Sequence, residues 1–412
     1  MIRLRLIWLK HLLYALVVLA LLGGLAEVGL RVYDSATGQV TRRELFDRGM
    51  VCKSWFRHHT LKPSQTFQVR NPDTRAVVPV VLNSLGLRGD EPQIPKPPGV
   101  FRVLCLGDDT TLAQHIPESA TFCRQLQQIL QARAPGRMQV EVINAGTPGY
   151  CPLLSLLQMR QELLVLQPDL CVLNFDMSDV SDDYQYRRHT ALGAMGLPLS
   201  CAHPALVLTR APARSHFENL FLLPGFVKER AGCLCAEKIL ADSSQSISSL
   251  HGRYAWLQDQ PPDWSHYIAQ ALSPLVELNG LLQGGYTGLI VAVSPAPWQV
   301  SAEASNGAGV RERVGVGAAV IMHSRRPFKI IGEYCQAHNL PLCDTSPAFQ
   351  QAERGERLFL TNAAALSSEG HALYARELAA MILRHNPHGI WEGTEHPTSK
   401  PPPPRQALAA PP

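Results

Sequence analysis

Five short runs of aliphatic and β-branched residues, at positions 102–106, 139–143, 170–175, 288–293 and 340–343, each lead into a loop rich in Gly, Pro, Asn, Asp or Ser. Between them, segments at 120–134, 153–166, 266–282, 328–338 and 368–384 carry apolar residues three and four apart, the period of an amphipathic helix. Strand–helix alternation leaves few folding solutions. Successive strands run parallel, each connection crosses back as a helix, and helices cover both faces of the sheet. The expectation is an α/β chain, a three-layer α/β/α arrangement with a parallel sheet, whose site lies at the carboxyl ends of the strands. The core domain then spans 99–385. The stretch 184–260 breaks the rhythm with short apolar pieces among Pro, Arg and Ser, and reads as an insertion packed over the sheet end. Residues 32–98 form a linker and N-terminal extension, and the Pro-rich residues 386–412 read as a disordered tail.

The first residues carry Arg3, Arg5, Lys10 and His11 without an acid, and residues 12–26 are then uninterruptedly apolar or Gly up to Glu27. Two readings stand: a signal peptide cleaved after Ala26, or a retained anchor over residues 1–31 whose helix, 7–30, crosses the hydrocarbon with Lys10 and Glu27 snorkelling at its ends. The apolar flanks 7–9 and 28–30 favour the anchor. The basic flank then stays in the cytoplasm and the main domain lies outside it, a single-pass topology.

Charged residues make up 17% of the chain, apolar residues 46%, and the net charge is only +4. That composition is globular, and the basic residues form no stripe interleaved with aromatics, so nucleic acid is not a favoured partner. The pairs Arg42-Arg43 and Arg187-Arg188 read as solvated surface or as contacts to anionic lipid or polysaccharide. Trp55, Trp256, Trp264 and Trp298 read as buried or as platforms for sugar rings. Ten cysteines give no dense disulfide framework, leaving room for one or two loop disulfides, and Cys233-Leu-Cys235 lacks the second pair a zinc finger needs. No motif calls for a cofactor.

The loops after the strands carry the chemistry. The first junction reads Val103-Leu-Cys-Leu-Gly-Asp-Asp-Thr-Thr111, the second Val142-Ile-Asn-Ala-Gly-Thr-Pro-Gly-Tyr150, and the third Leu173-Asn-Phe-Asp-Met-Ser-Asp179. With Leu82-Asn-Ser-Leu-Gly-Leu-Arg-Gly89 before the first strand and Leu366-Ser-Ser-Glu-Gly-His371 at the last helix, this order resembles the SGNH/GDSL hydrolase family over about residues 80–385. The resemblance implies a flavodoxin-like fold, a Ser nucleophile after the first strand, oxyanion donors from a Gly and an Asn, and an Asp-x-x-His pair before the last helix. A Ser needs a His base, the His needs a carboxylate to set its tautomer, and the oxyanion needs preorganised donors.

Against that pattern, the nucleophile position holds Asp109. Gly146 or Gly149 supplies the backbone N–H, with Gly146 taken as the oxyanion position, and Ser178 stands at the Asn donor. Asn362 and Ala365 stand where the Asp and His belong. An Asp is a poorer acyl nucleophile, its charge opposes a developing oxyanion, and Ala365 has no proton to exchange. His371 and His115 are the candidate substitute bases. Asp108, Asp109, Asp176 and Asp179 are weak candidates for a divalent-cation site, set against loop capping by Asp108 and Asp179. The leading expectation is an anchored extracytoplasmic protein with an ester-hydrolase fold and degenerate chemistry, acting as a binding or scaffolding module for an acylated glycan or lipid. The alternatives are an active ester hydrolase or O-acyltransferase with a relocated base, and a cation-dependent binding protein.

Overall fold

The computed structural model describes residues 2–38, 40, 47, 49–209, 220–318 and 320–391, with the backbone alone for 2–6, 209 and 240–251. Its centre is a five-stranded parallel sheet made of β1 (Val100–Leu106), β2 (Gln139–Asn144), β3 (Leu170–Phe175), β4 (Gly288–Val293) and β5 (Leu342–Asp344). The strands lie in the order β2-β1-β3-β4-β5. This is the doubly wound, flavodoxin-like order, in which the chain reverses its winding direction between β1 and β3. The register sets Leu106 beside Leu173 and Phe175 beside Val293, so the loops after β1 and β3 emerge next to one another.

The longer helices are α1 (Ile2–Thr37), α2 (Phe122–Gln131), α3 (Pro152–Gln158), α4 (Asp179–Arg187), α5 (Leu222–His251), α6 (Ser265–Gln283), α7 (Arg326–Ala337) and α8 (Ser368–His385). Alternation along the strands splits the core in two. Leu104, Leu106, Leu173, Phe175 and Val291 pack against Leu156 of α3, Leu275 of α6 and Ile331 of α7. On the other face Phe101, Val103, Cys105, Val172 and Ile290 pack against Leu126 of α2 and Leu378 of α8. Strands buried on both sides read as continuous apolar runs, which is why their pattern stands out in the sequence. The helical pattern at 153–166 is not one α-helix: after α3 the chain makes a π-type turn at Met159–Leu163 and a 3-10 turn at Leu164–Leu166, which keeps Met159, Leu163 and Leu166 all in the core.

The N-terminal extension braces the first loop. Arg88, buried, donates to the carbonyls of Leu112 (2.6 Å), Ala113 (2.5 Å) and Ile116 (2.8 Å). Asn83 shapes the turn that delivers it, accepting from the Leu85 and Leu87 amides and donating to the Asp90 carbonyl. Within the insertion, a hairpin of Thr190–Leu192 and Pro198–Cys201, a helix at Pro204–Thr209 and α5 lead back to the sheet. All ten cysteines are free thiols, so the loop disulfides do not form; Cys233 is buried and Cys235 exposed. At the C-terminus the ordered chain continues past 385: Trp391 is buried edge-on against Phe101. The rest of the Pro-rich tail, 392–412, lies outside the described residues, as do Arg42 and Arg43.

Helix α1 is long and apolar enough over Ile7–Thr37 to cross a membrane, an 18-residue window within it having mean hydropathy 2.1. Glu27 does not snorkel from it. Its buried carboxylate accepts from the Leu222 and Leu223 amides (2.9 and 2.8 Å) and from Arg31 Nε (2.8 Å), and so caps the first turn of α5.

Two glycines permit the loops after β1 and β2 to meet. Gly107 has φ +147, and a Cβ there would collide with Thr111 Oγ1 and sit 3.2 Å from Asn174 Cβ. A Cβ on Gly146 would overlap the Leu112 nitrogen and lie 2.7 Å from the Thr111 carbonyl carbon. Gly146→Ala is expected to destabilise the domain by about 3 kcal/mol in urea denaturation. Gly280→Ala, in α6 with open space around the position, is expected to be neutral or stabilising by up to about 1 kcal/mol.

Candidate active site

At the switch point between β1 and β3 the strand ends surround a cavity of about 200 Å³, lined by Asp108, Asp109, His115, Asp176, Ser178, Arg253, Tyr254, Ala363–Ala365 and His371 among others. Its frame is held by backbone bonds. The Thr147 amide donates to the Gly107 carbonyl (3.0 Å), and buried Asn144 donates from Nδ2 to the Thr111 carbonyl (2.7 Å) while accepting the Gly146 N–H (3.0 Å). Gly146 is therefore not free to serve an oxyanion, contrary to the expectation. The N–H that reaches the cleft is that of Gly149, three residues on, and it donates to Asp109 Oδ2 at 3.2 Å.

Asp109 opens the short helix Asp109–Leu112, while Asp108 caps that helix by accepting the Thr110 N–H at 2.9 Å. The Asp109 carboxylate still meets solvent at the cleft mouth. Its carboxyl is nevertheless pushed up to about 6, first by the hydration it loses between the cleft walls, with Asp182 and Asp176 adding to the rise and Arg253 and the Gly149 N–H opposing it. Burial, then Asp176 and Asp109, hold Asp108 well above the ordinary carboxylate range. Burial, then Asp176 and Asp108, do the same to Asp179, whose Oδ2 accepts the Asp176 N–H at 3.0 Å.

Ser178 is not a free donor either. Its hydroxyl donates to Asp182 Oδ2 (3.0 Å) and its amide to Asp176 Oδ1 (2.6 Å). Asp182 also pairs with Arg253 Nη2. Arg253 and Tyr254 come from the end of the insertion, and nothing in the sequence pattern marked them. The only trace was position: they precede α6, whose β4 neighbours β3, so the chain returns past the cleft.

The Asp-x-x-His positions behave differently from one another. Ala365 lines the cavity together with Ala363 and Ala364, an apolar part of its wall. Asn362 turns away: its amide (2.7 Å) and Nδ2 (2.9 Å) donate to Asp73 Oδ1. His371, a candidate base, is buried, stacked parallel on Phe122, and accepts the Phe122 N–H through Nδ1 (3.3 Å). Burial, with Arg88 nearby, lowers it to about 3, so it is a neutral core imidazole at ordinary pH. His115 sits at the rim, its basicity lowered by burial. The side-chain and backbone partners of Asp109 are Gln114 Nε2 (3.4 Å) and Gly149 N, and neither imidazole is among them.

Among the described residues no group of three or more His, Cys, Asp or Glu side chains is placed to hold a metal ion. Asp108, Asp176 and Asp179 instead accept backbone N–H groups. Trp256, Trp264 and Trp298 are buried and offer no sugar platform; Trp55 is partly exposed. Arg187 is clamped bidentate on Asp183 (2.7 and 2.8 Å).

No family model and no curated protein matches this chain. Solved structures do. It is similar to the lipase/acylhydrolase from Enterococcus faecalis, at 14% identity over 68% of this chain and 95% of that one, with a TM-score of 0.36. It is also similar to an acetylxylan esterase from Geobacillus stearothermophilus, at 12% identity over 68% and 94%, TM-score 0.35. A third is TesA, at 10% identity over 68% and 97%, TM-score 0.36. The fold assignment stands on the parallel strand order.

Because the Asp109 carboxyl is raised in the folded chain, its contribution to stability is fully present below the unfolded carboxylate value near 4 and is lost as pH climbs through about 6. Asp109→Asn keeps an acceptor for the Gly149 N–H and removes the charge. Melting temperature relative to the parent is expected to rise between pH 4 and pH 8, with most of the change between 4 and 6. A pH-independent difference would refute the shift.

Proposed function

We propose that this chain is a membrane-anchored extracytoplasmic protein with an SGNH-hydrolase-type fold, whose ester-hydrolysing apparatus is degenerate and whose cleft serves as a binding or scaffolding module for an acylated glycan or lipid. One observation carries the reading. The Asp109 carboxylate takes up the Gly149 N–H in a cleft that it lines together with Ala363–Ala365, which supports reading residue 109 as the nucleophile position and Ala365 as the base position. An oxyanion forming there would meet a negative charge rather than a donor, and no imidazole contacts residue 109. Loss of each triad-type group costs orders of magnitude in rate. The basic N-terminal flank and the apolar α1 support the anchor and its orientation.

A second reading is favoured by the Asp109 carboxyl lying at about 6, the range of a general base at neutral pH. In it, Asp109 activates water against an ester seated on the alanine wall.

The deciding measurement is hydrolysis of short-chain aryl esters. Under the first reading the parent and Asp109→Ala are equally inert, and Asp109→Ser alone stays inert because no base is present. The combination Asp109→Ser, Ser178→Asn, Asn362→Asp and Ala365→His gains turnover at least about tenfold above the parent, a modest part of what a triad supplies. Parent turnover abolished by Asp109→Ala would establish the second reading instead, and turnover in Asp109→Ser alone would overturn the register assigned to Ala365.

A further inference from the structure

The insertion leaves apolar side chains in solvent at several places, and one group of them lies around the start of α5. Leu220 and Phe221 are 52% and 43% exposed immediately before α5, and Val227 is 56% exposed in its second turn. Val207 and Leu208, on the helix packed against α5, are exposed as well. Buried Glu229, Cys233 and Ala236 define the opposite face of α5, where Lys53 approaches Glu229 at 3.5 Å and Ala205 joins Cys233 and Ala236. The exposed residues therefore lie away from the fold.

Their height is set by α1. A span starting at Ile7 uses about 20 residues to cross about 30 Å of hydrocarbon, which brings the boundary to Ala26 and Glu27. Glu27 is the residue that grips the Leu222 and Leu223 amides, and Arg31, one turn further, donates to the Leu220 carbonyl. The start of α5 is thus fastened at the depth where the hydrocarbon ends. Water there gives way to acyl chains, and exposed Leu, Phe and Val lower their free energy by entering them.

We propose that residues 220–227, with Val207 and Leu208, form a second membrane contact that inserts into the outer-leaflet headgroup and acyl boundary beside α1. The proposal rests on the anchor reading. It holds the insertion, and through it the cleft, at a fixed attitude to the bilayer, where a single spanning helix would leave the domain free to swivel. The occupant is lipid: the patch adjoins a helix that itself passes through lipid, and the carboxylate joining the two lies at the boundary.

The test uses the full chain in phosphatidylcholine nanodiscs, with Phe221→Trp and, separately, Tyr14→Trp in the middle of α1. The added emission is read as the difference from the parent. For Phe221→Trp it is expected to fall when acyl chains are brominated and to resist iodide. Loss of emission to iodide, with no effect of bromination, would place residue 221 in water and overturn the proposal. A blue-shifted emission insensitive to both quenchers would place it against protein, a second copy or another chain, and would also overturn it. Tyr14→Trp separates the two failures: quenched by bromination, it leaves the anchor standing while the contact fails, and unquenched, it removes the anchor and the contact together.

Discussion

Backbone approach at the carboxyl ends of β1 and β2 is the constraint on which the cleft depends. Gly107 and Gly146 have no side chain because none fits, Asn144 ties the Thr111 carbonyl to the Gly146 N–H, and Arg88 gathers three carbonyls of the segment that follows. These contacts fix where residue 109 stands relative to the Gly149 N–H to within a hydrogen bond. A nucleophile elbow and an oxyanion donor require the same fixity. The frame therefore has the rigidity that a reactive site needs.

What is mounted is a concentration of carboxylates. Asp108, Asp109 and Asp176 line the cleft, buried Asp179 and Asp182 lie near them, and Arg253 is the cation that pairs with Asp182 and lowers the Asp109 carboxyl. Desolvation leads every upward shift among Asp108, Asp109, Asp179 and Asp182, so the cost is borne mainly by each group's lost water and only secondarily by mutual repulsion. Backbone N–H groups hold Asp108 and Asp179 in place, which explains why the acids form loop caps rather than a cation cage.

Much of the architecture was legible because burial on both faces imposes continuous apolar strands and 3.6-residue helical periods. The five runs and the amphipathic segments fall on β1–β5 and on α2, α6, α7 and α8 within a few residues. The chemical positions read as substitutions in the sequence, and Ala365 and Asp109 line the same cavity. Three things were not legible. Which glycine faces the cleft depends on a side-chain bond, Asn144 to Gly146, that no local pattern encodes. Arg253 and Tyr254 arrive through tertiary packing of an irregular insertion, where periodicity carries no signal. Glu27, a charge at the end of an apolar run, looked like a residue seeking water because its partners, two amides at the start of α5, lie nearly two hundred positions away.

That last pairing joins the two halves of the molecule. Helix α5 begins at the Glu27 cap and ends at His251, and a single residue, Gly252 with positive φ, separates it from Arg253 at the cleft. Thirty residues of α-helix span about 45 Å. A single element therefore runs from the end of the apolar helix to the cation that pairs with Asp182. Removing the Glu27 carboxylate would leave the Leu222 and Leu223 amides uncapped and loosen that end first.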